Sequence, residues 1–108
     1  MKLESKFYNE LKRITPKIRW TRLENTSVLG TPDVLGYNSH QHFFTVELKV
    51  TKTNKVRLSP HQISFHILHP ENAFILVKTK AACRLYLGKQ VRELFACGLS
   101  LEPVACGW

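Results

Sequence analysis

Acidic side chains are scarce in this 108-residue chain. Eight Asp and Glu stand against sixteen Lys and Arg, a formal net charge of +8. That excess favours polyanionic partners, although charge alone specifies no fold. Long apolar runs are also missing. None approaches the roughly 20 residues that span a bilayer, and the opening MKLESKFYNELKR lacks an apolar signal-peptide core. No membrane partner is expected. The three cysteines, Cys83, Cys97 and Cys106, are odd in number and form no C-x-x-C pair. This argues against a disulfide framework or a zinc knuckle and points to a reducing cytoplasm, the interior of a phage-infected or bacterial cell. No repeat, low-complexity tract or linker divides residues 1–108, so a single domain is expected.

Periodicity supplies the elements. Leu3, Phe7, Leu11 and Ile14 recur at helical spacing, predicting a helix over 3–14 that ends at Thr15-Pro16. Residues 18–24 alternate as a first strand. A Gly30-Thr31-Pro32 turn leads into a short strand over 33–37, and 42–51 is a third. Ser59-Pro60-His61-Gln62 reads as a helix start, with Ser59 as N-cap, Pro60 at the first helical position and Gln62 closing a capping box. That helix should stop before Pro70. Strands follow over 73–79 and 84–87, then a helix over 89–97 closed by Gly98. The order is αβββαββα. Three successive strands suggest a meander, and the helix after the third suggests a crossover. The fold class is therefore α/β (α+β), a mixed sheet flanked by helices.

The segment FFTVELKVT, 43–51, carries the chemistry. Phe44, Val46, Leu48 and Val50 point to one face, and Thr45, Glu47, Lys49 and Thr51 to the other. Glu47 and Lys49 lie about 7 Å apart along the strand. An exposed edge strand with a weak ion pair has the same pattern. Asp33, the only aspartate of the chain, argues otherwise. In a meander it starts the neighbouring strand and can lie beside Glu47. Two adjacent carboxylates repel unless a cation sits between them, and two acids plus water suit Mg²⁺. Lys49, on the face of Glu47, can act on a water and steady charge on a phosphate. Taken alone, Asp33 is ordinary turn chemistry.

Pro32-Asp33 followed by Glu47-Leu48-Lys49 resembles the signature of the PD-(D/E)xK nuclease superfamily. The element order is similar to its restriction-endonuclease-like core. Within it, the chain looks most like small Holliday-junction resolvases and stand-alone VRR-NUC domains, which also carry a first-helix glutamate, a Gly-x-Pro-Asp turn and a glutamine on the helix after the catalytic strand. Here these are Glu4, the Gly30–Asp33 turn and Gln62. The resemblance covers about residues 3–80. It implies metal ligation by Asp33, Glu47 and the carbonyl of Leu48, with Lys49 serving the attacking water. The metal would be Mg²⁺, with Mn²⁺ as a substitute. The helix alone does not choose between Glu4 and Glu10, which flank the apolar stripe at similar angles; the Leu-Glu-x-Lys-Phe register resembles phage-type resolvases and favours Glu4. A solvated helix face is the other account of Glu4, and the capping box is the other account of Gln62. The chain departs from the pattern in its long basic connection over 51–58 and in residues 99–108.

The implied activity is Mg²⁺-dependent, structure-specific DNA endonuclease action on four-way junctions, giving a 5′-phosphate and a 3′-hydroxyl. Alternatives on the same fold are a flap, linear-duplex, repair or restriction-type nuclease. A non-catalytic basic nucleic-acid-binding module is a further alternative, but it has no use for paired acids. Branched or double-stranded DNA is the expected partner, held by two basic clusters: Lys17, Arg19 and Arg22, then Lys52, Lys55 and Arg57. The resemblance also implies a homodimer. No helix-turn-helix or zinc finger is visible, which favours recognition of DNA shape. His61, His66 and His69 have neither zincin nor finger spacing. Packing better explains Trp20.

Overall fold

The computed structural model describes residues 3–23 and 30–107. Helix α1 (Leu3–Ile14) buries Phe7, Tyr8 and Leu11 along one stripe. Three strands follow: β1 (Arg19–Arg22), β2 (Val34–Tyr37) and β3 (Phe43–Val50). They form the expected antiparallel meander. The β2–β3 turn closes on Asn38, whose Oδ1 accepts from the backbone N–H groups of His40 and His42.

Helix α2 (Pro60–Leu68) then carries the chain back across the sheet, so β4 (Ala73–Lys78) pairs with β3 in parallel. An antiparallel return needs only a hairpin, whereas a parallel one needs such a crossover. Strand β5 (Cys83–Leu87) is antiparallel to β4. A 3-10 turn over Gly88–Gln90 leads into α3 (Val91–Cys97), so the start of the helix expected over 89–97 is more tightly wound. A second 3-10 turn, Gly98–Ser100, precedes β6 (Ala105–Gly107), which pairs with β5. Strand β6 carries no strand signal in its sequence. It is three residues long and includes Ala and Gly, which strands disfavour. The sheet order, β1-β2-β3-β4-β5-β6, follows the chain order. The class is α+β, as expected. Of the strand expected over 18–24, residues 19–22 are in β1, and Glu24 lies outside the described residues.

Both faces of the sheet are covered. On one, α1 packs Phe7, Tyr8 and Leu11 on Val34, Val46 and Leu48. On the other, Val56, Leu58, Val91 and Leu94 pack on Ile75, Val77 and Tyr86. Strand β3 lies between β2 and β4, so the exposed-edge account of Glu47 does not hold. Among the described residues, no helix is long and apolar enough to cross a membrane.

Candidate active site

Register brings the two acids together. Val34 pairs with Val46 at the end of β2, so Asp33, the next residue outward, stands opposite Glu47. The ladder stops here for a chemical reason, because Pro32 has no N–H to extend it. The Asp33 carboxylate takes over the bond: the Leu48 N–H donates to Asp33 Oδ2 at 2.7 Å. Thr45 and Thr51 turn their N–H groups toward the β4 side, donating to Asn72 O and Lys78 O. By alternation, Leu48 turns both its N–H and its C=O toward β2. The Leu48 carbonyl therefore faces the gap beyond the end of β2, beside Asp33.

The turn before Asp33 is held against α2. Gly30 has φ +83°, and a Cβ there would stand 2.2 Å from the His61 carbonyl oxygen. Only glycine fits both the left-handed conformation and the close approach. The Gly30–Asp33 turn and the first turn of α2 are thus packed as one unit.

Glu47 is 2% exposed. Its Oε2 accepts from Gln62 Nε2 at 3.1 Å and lies 3.7 Å from Lys49 Nζ. Its Oε1 is buried without a hydrogen-bond partner among the described residues. Burial first, then the neighbouring Asp33 carboxylate, push its carboxyl up from 4.5 to about 9, against the pull of Lys49. Gln62 is fixed from several sides. Its Oε1 accepts from the Ser59 N–H and from Lys49 Nζ, both at 3.0 Å. Its backbone N–H donates to Ser59 Oγ at 3.1 Å. Two donors on Oε1 fix the orientation of the amide and turn Nε2 toward Glu47. One side chain therefore closes the capping box and bonds to both Glu47 and Lys49.

These residues fit a divalent cation. Two carboxylates are held together, one of their oxygens lacks a partner in a buried position, and a main-chain carbonyl faces the same gap. A hard oxygen-seeking ion such as Mg²⁺ takes such donors and keeps several waters. Among the described residues, no group of three or more His, Cys, Asp and Glu side chains converges to hold a metal, which leaves the acid pair and the main chain as the candidate donors.

The other expected residues are more dispersed. Glu4 is half-buried in the first turn of α1. Next to it, Ser5 Oγ accepts from Arg22 Nη2 at 3.1 Å. Arg22 pairs with Val34, so this end of α1 lies at the end of the sheet where Asp33 stands. Glu10, the rival on the helix, is bound by Lys78 Nζ at 2.8 Å. Arg22 also lies over the Tyr8 ring, on the α1 face and away from Glu47. Lys17, Arg19 and Lys52 are exposed. Lys55 and Arg57 share a groove with Lys49 and Gln62. The two basic clusters are therefore not equivalent: only Lys55 and Arg57 line a cavity with the site residues.

Trp20 packs, as expected. Its ring meets Phe44 edge-on, and its Nε1 donates to Thr15 Oγ1. His66 is fully buried, with neither ring nitrogen bonded among the described residues, and desolvation, then His69, holds its pKa below the usual value. Cys83 is buried, and Cys97 and Cys106 are exposed; all three are free thiols. Phe95, on α3, lines the groove with Lys49. No local pattern marked it, because α3 reaches the site only through tertiary packing.

No protein-family model matches the chain, and no curated protein matches it. Among solved structures, the chain is similar to Hjc, a Holliday junction resolvase from the archaeal hyperthermophile Archaeoglobus fulgidus. The TM-score is 0.64 at 18% identity, over 80% of this chain and 78% of that one. The chain has the fold of that resolvase, which bears out at the level of architecture the resemblance carried by Pro32-Asp33 and Glu47-Leu48-Lys49.

Proposed function

We propose that this protein is a divalent-metal-dependent endonuclease that cuts branched DNA, with the four-way junction as its main substrate. One observation carries the reading: Asp33 and Glu47 are held side by side, with Glu47 Oε1 unpartnered among the described residues, an arrangement that is unfavourable for two ionised acids unless a cation joins them. Likeness to a Holliday junction resolvase and the net charge of +8 support the choice of substrate.

Asp33, Glu47 and the Leu48 carbonyl would hold Mg²⁺ or Mn²⁺. When bound, such an ion supplies Lewis acidity toward the scissile phosphate and the attacking water. Lys49 holds its ammonium at the rim, between Glu47 and Gln62, where it orients the water and offsets charge building on the phosphate. Gln62 fixes both neighbours. Hydrolysis in line leaves a 5′-phosphate and a 3′-hydroxyl. Lys55 and Arg57 grip phosphates next to the site, and Lys17, Arg19, Arg22 and Lys52 do so farther out. Opposed cuts across a junction need two sites, which a symmetric homodimer provides.

The test is substitution. Asp33→Asn keeps an acceptor for the Leu48 N–H but removes a charge; Lys49→Ala removes the ammonium. Each is expected to lower junction cutting roughly a hundredfold or more while leaving junction binding near parental. Cutting at the parental rate by either variant would remove that residue from the mechanism. A parental protein that binds the junction but leaves it intact in Mg²⁺ and Mn²⁺ is a binding module.

A further inference from the structure

Next to the acid pair, a groove of about 840 Å³ runs between the connection that precedes α2 and the C-terminal end of α3. Its volume lies in the range of clefts that take small organic ligands, ~300–1,000 Å³. Its charged lining is all basic: Lys49, Lys55 and Arg57. Its floor is apolar, with Val56 and Leu58 buried beneath. Phe95 stands in its wall at 56% exposure. A lone exposed apolar side chain needs no explanation in general. Phe95 differs because of where it stands: in a cationic groove continuous with Lys49 and Gln62.

The groove is also preformed. Gly98 has φ +60°, and a Cβ there would stand 2.0 Å from the Asn54 carbonyl oxygen. The Leu99 N–H donates to that same oxygen at 2.8 Å. The end of α3 and the basic connection are therefore locked together, and Phe95 is held against the connection rather than on a loose arm. Thr51 Oγ1 bonds to Lys55 O at 2.8 Å, which orders the connection further.

We infer that this groove binds the DNA strand that passes through the branch point, with Phe95 stacking on a base whose face the branch leaves free while Lys55 and Arg57 hold the flanking phosphates. The inference rests on the nuclease reading above and deepens it by naming a residue that selects branched over continuous DNA. Cations that track a backbone beside an aromatic ring are the combination that binds single strands without regard to sequence. Inside an intact duplex each base is already stacked, so the ring finds no partner. At a branch a base face is free, beyond the end faces that a junction and a linear duplex both carry.

The test uses the full chain in EDTA, where no cutting interferes, with a synthetic four-way junction and a linear duplex of the same sequence. Phe95→Ala is expected to weaken junction binding roughly tenfold and to leave duplex binding within about twofold, in line with the loss of one stacked base. Phe95→Trp should retain junction affinity, and its added fluorescence over the parental protein should change on the junction but not on the duplex. Junction affinity of Phe95→Ala equal to parental, or equal losses on both DNAs, would overturn the inference. Parental cutting in Mg²⁺, measured alongside, separates the two claims. If the parent cuts and Phe95→Ala binds as the parent does, only the groove assignment fails. If the parent binds neither DNA, both fail.

Discussion

Glu47 sits where a carboxylate is least comfortable, beneath a sheet face and beside a second acid. Its carboxyl is pushed up from 4.5 to about 9 by burial, then by Asp33. A raised carboxyl costs the metal-free fold nothing while it is protonated in both states. Above about 4.5 the unfolded chain gives up the proton and the folded one keeps it, so stability falls as the pH climbs toward 9. Melting in EDTA should therefore show a temperature that declines across that window. Glu47→Gln should flatten the decline. Above about pH 9, where both acids are ionised, Asp33→Asn should raise the metal-free melting temperature, by ~5 °C if repulsion costs about 1 kcal/mol. Adding Mg²⁺ should stabilise the parent more at pH 8 than at pH 6, because binding needs the ionised pair. A flat EDTA profile would contradict the placement of Glu47. The identity of these residues was readable in the spacing Pro-Asp…Glu-Leu-Lys. The unpartnered oxygen was not, because it depends on how Gln62 and Lys49 divide their hydrogen bonds in three dimensions.

At the scale of elements, the site is a junction between a turn, a strand and a helix start. Gly30 couples the first to the last. Gly30→Ala forces an unfavourable left-handed conformation, about 1–2 kcal/mol, and drives a methyl into the His61 carbonyl. The variant should melt lower and cut more slowly than its loss of folded protein explains, since both Asp33 and Gln62 shift. A variant that cuts at the parental rate per folded molecule would separate the turn from the chemistry. Ser59→Ala removes the side-chain half of the cap, about 1 kcal/mol, but leaves the Ser59 N–H on Gln62 Oε1. It should therefore lower stability more than activity. Helix α2 was legible to the residue, because Ser59, Pro60 and Gln62 each have a positional meaning at a helix start. Strand β6 was not, since three residues such as Ala-Cys-Gly form a strand only where β5 offers an open edge.

On the scale of the molecule, the charge of +8 is divided by the fold into groups with different surroundings. Arg22 lies over Tyr8, while Lys55 and Arg57 line the groove with Lys49. Composition gave the excess but could not allot it, because only the sheet decides which face a strand residue shares. Phosphate contacts steepen the salt dependence of duplex binding by about 0.9 in the log–log slope each. Arg57→Ala should thus reduce the slope by about one contact, and a slope equal to parental would take Arg57 off the DNA. Every role proposed for these residues requires the acid pair to act through a divalent ion on a branched substrate. The most direct test of that requirement is cleavage of a four-way junction beside its component duplex, in Mg²⁺ and in EDTA. The expected result is cutting of the junction in Mg²⁺, little on the duplex and none in EDTA. A junction left intact in Mg²⁺, or cut equally well in EDTA, would contradict it.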